Sequence, residues 1–262
     1  EVWEDGSNKI AYGVRRRHSL GGHCDGLMNY PFRNAAISYL LGGDARWFRE
    51  TMEGLRANDP PAAYYSAMNA LGTHDTPRIL TLLGVGSPCT EYPKSWRADF
   101  RMREEEYARG KARLKLGAVL LYAFPGSPTL YYGDEAGMEG FEDPFNRRTF
   151  PWGREDGELV SWFTALGCIR SWSQALRRGD ISYVKAEGPV LAFRRTWEGE
   201  RVLAALNAGA EAASLPLSGP MKDLLTGEVF PAPGARTMEA ALPPCTARLL
   251  VPLRLHLACR AK

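Results

Sequence analysis

Residues 67–78 read Ala67-Met68-Asn69-Ala70-Leu71-Gly72-Thr73-His74-Asp75-Thr76-Pro77-Arg78. An apolar run of strand length ends at a glycine, an imidazole and a carboxylate follow at once, and Pro77 opens a helical stretch that reaches Leu83. Similar short apolar strands are predicted at 26–30 and 128–132, with helical patterns between them. Such alternation predicts βαβ units and a parallel sheet. Asn34 is expected to cap a helix ending at Gly42-Gly43, and Asp44 a second one with Trp47, Phe48, Met52 and Leu55 on one side. A long helix from about Arg101 to Tyr122, apolar in its second half, should lie on the sheet. A last one, Glu158 to Arg178, repeats Leu159, Trp162, Phe163, Leu166, Ile169 and Leu176 at nearly 3.6 residues and stops at Gly179.

Beyond Gly179 the texture changes. Short β-rich runs (Ile181 to Lys185, Val190 to Thr196, Arg201 to Leu206, Thr246 to Val251) alternate with Gly, Pro and charged turns, the pattern of a β-sandwich. A complete (β/α)8 barrel takes ~250 residues and eight strand–helix units. Only three or four such units fit before residue 180. The expected fold class is therefore α/β: the C-terminal half of a (β/α)8 TIM barrel over residues 1–179, then an all-β sandwich domain over 180–262.

Composition removes several classes of function. The 33 basic and 30 acidic residues leave a net charge of +3, and the cluster Arg15-Arg16-Arg17 has no aromatic or Gly-rich partner motif, so nucleic acid is not indicated. The five cysteines, Cys24, Cys89, Cys168, Cys245 and Cys259, are odd in number and form no C-x-x-C pair. They read as reduced thiols, with neither a disulfide framework nor a zinc site. The histidines His18, His23, His74 and His256 have no metal-ligand spacing, and no metal is expected. No apolar run approaches the ~20 residues of a membrane helix. There is no signal peptide, and Glu1-Val2-Trp3-Glu4-Asp5 reads as the inside of a longer protein. Localisation is left open, with the cytoplasm favoured.

Acidic or imidazole groups stand just past the C-terminal ends of predicted strands at Glu1, at His74-Asp75 and at Asp134-Glu135, where barrel enzymes hold their active sites. Singly, each has a plain structural reading, as a helix cap or an ordinary loop. In order, however, the segments Glu1-Val2-Trp3, Leu27-Met28-Asn29-Tyr30-Pro31-Phe32-Arg33, Gly72-Thr73-His74-Asp75-Thr76-Pro77-Arg78, Phe124-Pro125-Gly126-Ser127-Pro128, Tyr131-Tyr132-Gly133-Asp134-Glu135 and Asp143-Pro144-Phe145-Asn146-Arg147 resemble the neopullulanase and cyclomaltodextrinase branch of the α-amylase superfamily, glycoside hydrolase family 13.

The resemblance implies retaining hydrolysis of α-glucans, with Glu1 as general acid/base and Asp75 stabilising the transition state. His74 would donate to a sugar hydroxyl, Asp143 and Arg147 would hold a glucose unit further from the cleavage point, and Trp3 would offer a ring face. Asp134-Glu135 would be structural support. No cofactor is implied, calcium is not indicated, and the partner is the glucan. A homodimer is allowed for a longer parent, since relatives dimerise through an N-terminal domain. The family's nucleophilic aspartate precedes the glutamate on strand four, so the chain is expected to be a truncated enzyme, inactive by itself, whose sandwich from about residue 181 folds alone. Two other readings stand beside this one. The first is a glucanotransferase or trehalose-synthase-like isomerase of the same superfamily, and the second a non-catalytic binding subunit.

Overall fold

The computed structural model describes residues 1–253 except 8, 22–23 and 233. His23, His256 and Cys259 lie outside the described residues. A hairpin, β1 (Lys9–Ala11) and β2 (Val14–Arg16), opens the chain. Helices α1 (Tyr30–Leu40), α2 (Ala45–Asn58) and α3 (Pro61–Ser66) lead to β3 (Met68–Ala70). Helices α4 (Ile79–Val85), α5 (Lys94–Asp99) and α6 (Glu104–Ala123) lead to β4 (Ser127–Thr129), and α7 (Gly157–Trp172) and α8 (Gln174–Arg178) follow. The remainder is β: β5 (Asp180–Glu187), β6 (Val190–Trp197), β7 (Glu200–Asn207), β8 (Ala213–Pro216), β9 (Met221–Asp223), β10 (Val229–Phe230), β11 (Glu239–Leu242) and β12 (Thr246–Pro252).

Four extended segments of the first part pair in parallel and in chain order. Val2 bridges Asn29, Met28 bridges Met68, and β3 pairs with β4 from Met68↔Ser127 to Ala70↔Thr129. Side chains reinforce the order, for Asn29 Nδ2 donates to Asn69 Oδ1 at 2.9 Å and Asn69 Nδ2 to the Pro125 carbonyl at 2.7 Å. A one-sided stack of parallel strands puts every strand's C-terminal end on one rim.

Two helix expectations are corrected. Asn29, not Asn34, caps α1, its Oδ1 accepting from the Phe32 N–H at 3.0 Å, because Pro31 can occupy only the first turn and starts the helix there. The long helix expected from Glu158 to Arg178 breaks at Ser173, whose Oγ accepts from Leu176 N–H while the Glu200 carboxylate accepts from Gln174 and Ala175 N–H, making a second helix start. Asp44 caps α2 as expected.

The all-β architecture expected for the C-terminal part is observed, and its strands pair antiparallel. Six strands run in the order β10-β9-β12-β7-β6-β5, and β11-β8 form a separate pair. The period-2 rule divides each central strand between two cores. Val190, Ala192, Leu203, Ala205 and Leu250 face Leu215, Ala240 and Leu242 of the small pair. Leu191, Phe193, Val202, Ala204, Leu206 and Leu249 instead join the cluster that contains Phe32, Phe48, Leu120, Phe124 and Leu176 of the helices. The helix–strand part and the β part thus share one hydrophobic core.

Candidate active site

The strand ends bring together residues far apart in sequence. Glu1 precedes the Val2 bridge, and His74-Asp75 follow β3 by a tight turn in which Thr76 Oγ1 lies 3.1 Å from Thr73 Oγ1. His74 Nε2 stands 3.3 Å from Glu1 Oε1 and 3.4 Å from Asp75 Oδ2. Arg147 Nη2 stands 3.4 Å from Asp75 Oδ1, and Arg147 Nε 3.0 Å from Asp143 Oδ1. Glu1, His74, Asp75, Arg147 and Asp143 therefore form one continuous polar chain along the rim. Their side chains remain between 36% and 51% exposed, open to a solute. Trp3 is 45% exposed and lies face to face on Tyr30, with ring centroids 3.9 Å apart.

One atom each of Glu1, His74 and Asp75 lies within 4.8 Å of the others, the one such grouping of three possible ligands among the described residues. Exposed carboxylates on the rim are an ordinary feature of a polar site, and nothing in this donor set demands an ion.

Below the rim, the neighbouring carboxylate Asp134 lies in a different setting. It is 2% exposed, with Arg78 Nη1 3.2 Å away and Arg78 itself stacked against Tyr131 and Tyr132. Burial pushes the Asp134 carboxyl up to about 7, against the pull of Arg78. Burial likewise lowers the Arg33 guanidinium to about 10, and Arg33 Nε donates to the Leu71 carbonyl.

Sequence reasoning missed two side chains here. Tyr30, fully buried, points its hydroxyl at Glu1 Oε1 at 3.4 Å and Thr73 Oγ1 at 3.5 Å, and burial raises its pKa. Asn146 is fully buried beneath the His74-Asp75 turn. Both lay inside quoted motifs, but nothing local shows that a tyrosine at a helix start faces a carboxylate one strand away.

Comparison with known proteins gives this arrangement a context. Residues 182–249 match the C-terminal domain family of maltogenic amylase. The chain is 38% identical over 207 residues to an amylopullulanase of Thermoanaerobacter thermohydrosulfuricus, covering 74% of the chain and 13% of that protein. It is 33% identical over 255 residues to a cyclomaltodextrinase of Geobacillus thermopakistaniensis, covering 93% of the chain and 38% of the relative. The crystal structure of an Anoxybacillus α-amylase superposes with a TM-score of 0.71 at 26% identity, over 88% of this chain and 48% of that one.

The chain thus carries a rim of carboxylates and imidazole above parallel strands, joined to an antiparallel β domain. The chain is a relative of the α-amylase superfamily, similar to proteins named amylopullulanase, cyclomaltodextrinase and neopullulanase. It spans 13% and 38% of the two curated relatives named. No helix among the described residues is long and apolar enough to cross a membrane.

Proposed function

We propose that this chain supplies the acid-bearing part of the active site of a retaining α-glucan hydrolase. Residues 1–179 would form strands five to eight of a (β/α)8 barrel and residues 180–262 its C-terminal β-sandwich. The observation that carries the reading is the meeting of Glu1 and Asp75 at His74 Nε2, from two different strand ends.

Retaining cleavage needs a carboxylic acid to protonate the leaving oxygen and a carboxylate nucleophile ~5 Å from it. Glu1, which accepts a bond from the Tyr30 hydroxyl, is by resemblance the acid. Asp75, with Arg147 Nη2 3.4 Å from its Oδ1, is by resemblance a group that binds sugar hydroxyls and strengthens its hold as positive charge develops. His74 donates to a neighbouring hydroxyl, Asp143 and Arg147 hold the next glucose unit, and Trp3 offers its exposed face to a sugar ring. By resemblance the nucleophile belongs to strand four, before Glu1, and the chain is active only together with it. No metal or other cofactor is needed in this chemistry. The partner is an α-1,4- or α-1,6-linked glucan, with a cytoplasmic location and a homodimer left as expectations for the whole enzyme.

Reducing-sugar release from β-cyclodextrin, pullulan and starch tests the reading, using this chain alone and joined to strands one to four. The joined protein should be active and its Asp75→Asn variant slower by about a hundredfold or more in kcat. A joined, folded protein inert on all three glucans, or an unimpaired Asp75→Asn variant, would refute it.

A further inference from the structure

Asn146 lies between Asp143 and Arg147, both exposed, yet is itself fully buried. Its side chain points away from solvent and into the backbone of the His74-Asp75 turn. Nδ2 donates to the His74 carbonyl at 2.7 Å and to the Thr76 carbonyl at 2.8 Å. Arg147 Nε, one residue on, adds a donor to the same His74 carbonyl at 3.2 Å. That carbonyl belongs to the peptide between His74 and Asp75, so two donors from adjacent residues pin the one peptide plane whose rotation would swing both side chains.

The anchor is in turn fixed from behind. The Asn146 carbonyl accepts from Arg78 Nε at 2.7 Å, and Arg78, fully buried, donates also to the Tyr132 carbonyl and to Asp134. Gly72, the residue before the turn, has no room for a Cβ beside that Asp134 carboxylate. The turn is thereby held from strand β3, from the 143–147 loop and from the segment after β4 at once.

We infer that Asn146 is a positioning residue of the rim, acting through the His74 and Thr76 carbonyls to set the direction in which His74 and Asp75 project toward Glu1. The inference rests on the proposed hydrolase reading. A misplacement of ~1 Å costs about a hundredfold in rate, and Asn146 supplies two of the bonds that prevent it.

Two variants separate this role from mere stabilisation. Asn146→Ala removes both donors. Asn146→Asp keeps the shape, and thereby the packing if the alanine fails to fold, but sets acceptor oxygens against two carbonyls. In the chain joined to strands one to four, both variants are expected to lose about a hundredfold in kcat on β-cyclodextrin per folded molecule, with a smaller change in KM. The aspartate variant should recover relative to native as pH falls and its carboxyl regains an O–H donor, whereas the alanine variant should not. In the 262-residue chain itself, the His74 imidazole resonances should move in both by NMR. Unchanged kcat per folded molecule and unmoved His74 resonances, with Asp75→Asn still inactivating, would overturn the inference. An unimpaired Asp75→Asn would instead remove the hydrolase reading and the inference with it.

Discussion

Gly72 and Asp134 show how tightly single residues behind the rim are fitted. A Cβ on Gly72 would collide with the Asp134 carboxylate, a group locked in place by Arg78, so Gly72→Ala is expected to destabilise the fold by about 1–3 kcal/mol in urea unfolding. Unchanged stability would mean that Asp134 moves freely. Because burial raises the folded Asp134 carboxyl to about 7, its contribution to stability is complete below the unfolded value near 4 and is lost as pH rises through about 7. Asp134→Asn, which cannot ionise, should flatten the fall in unfolding free energy between pH 5 and 8 relative to native; identical slopes would contradict the assignment. At this scale the sequence was most legible where chemistry and position coincide. His74 and Asp75 follow a strand and precede a helix, which starts at Ile79 with Arg78 at its cap rather than at Pro77 as expected, and Glu1, Asp143 and Arg147 reach them in the fold. Tyr30 and Asn146 were illegible, since their roles consist of contacts 29 and 72 residues away in sequence.

The start of α2 was legible in the sequence, whereas the equally local caps Asn29 and Asp156 were not read. Asp44 stands directly before α2 and Asp156 before α7, and each accepts from the N–H groups that follow. The break at Ser173 was not legible, because the apolar period runs through it and the carboxylate that caps the second helix, Glu200, comes from strand β7. Burial would raise Asp156, but bonds from Lys111, the Leu159 N–H and the Tyr107 hydroxyl hold it below the usual carboxylate range. Its contribution is therefore complete above the unfolded pKa near 4 and lost as pH falls through the lower folded value. Asp156→Ala should cost about 1–2 kcal/mol at pH 7 and much less near pH 2, read from chemical denaturation at both. At the other end of α6, Arg170 donates to the Tyr122 and Gly126 carbonyls and buried Arg195 to those of Ala123 and Gly179. Arg195→Met leaves both of its carbonyl partners dry and is expected to cost about 2–5 kcal/mol; a loss below 1 kcal/mol would show that water replaces the guanidinium.

For the molecule as a whole, the change of texture at Gly179 was plain in the sequence, but the core running across it was not. Leu191, Phe193, Val202 and Leu249 lie in the same cluster as Phe32, Leu120 and Phe124, and Arg195 ties β6 to the end of α6. Periodicity reports that a strand has two buried faces without saying what covers the second. The expectation of a β domain that folds alone thus gives way to a prediction that both parts unfold together. Limited proteolysis should release no stable product beginning near residue 181, and a resistant one would contradict the shared core. The proposed claim that Glu1 is the proton donor is tested by comparing native and Glu1→Gln forms, joined to strands one to four, on maltotriose and on α-maltosyl fluoride. Fluoride leaves without protonation, so the fluoride-releasing step should keep most of its rate in the variant, whereas bond cleavage in maltotriose should fall about 10²–10⁴-fold; water attack on the glycosyl-enzyme, which takes Glu1 as base, slows with both substrates. Equal losses in fluoride release and in maltotriose cleavage, each read before water attack limits the rate, would contradict the claim.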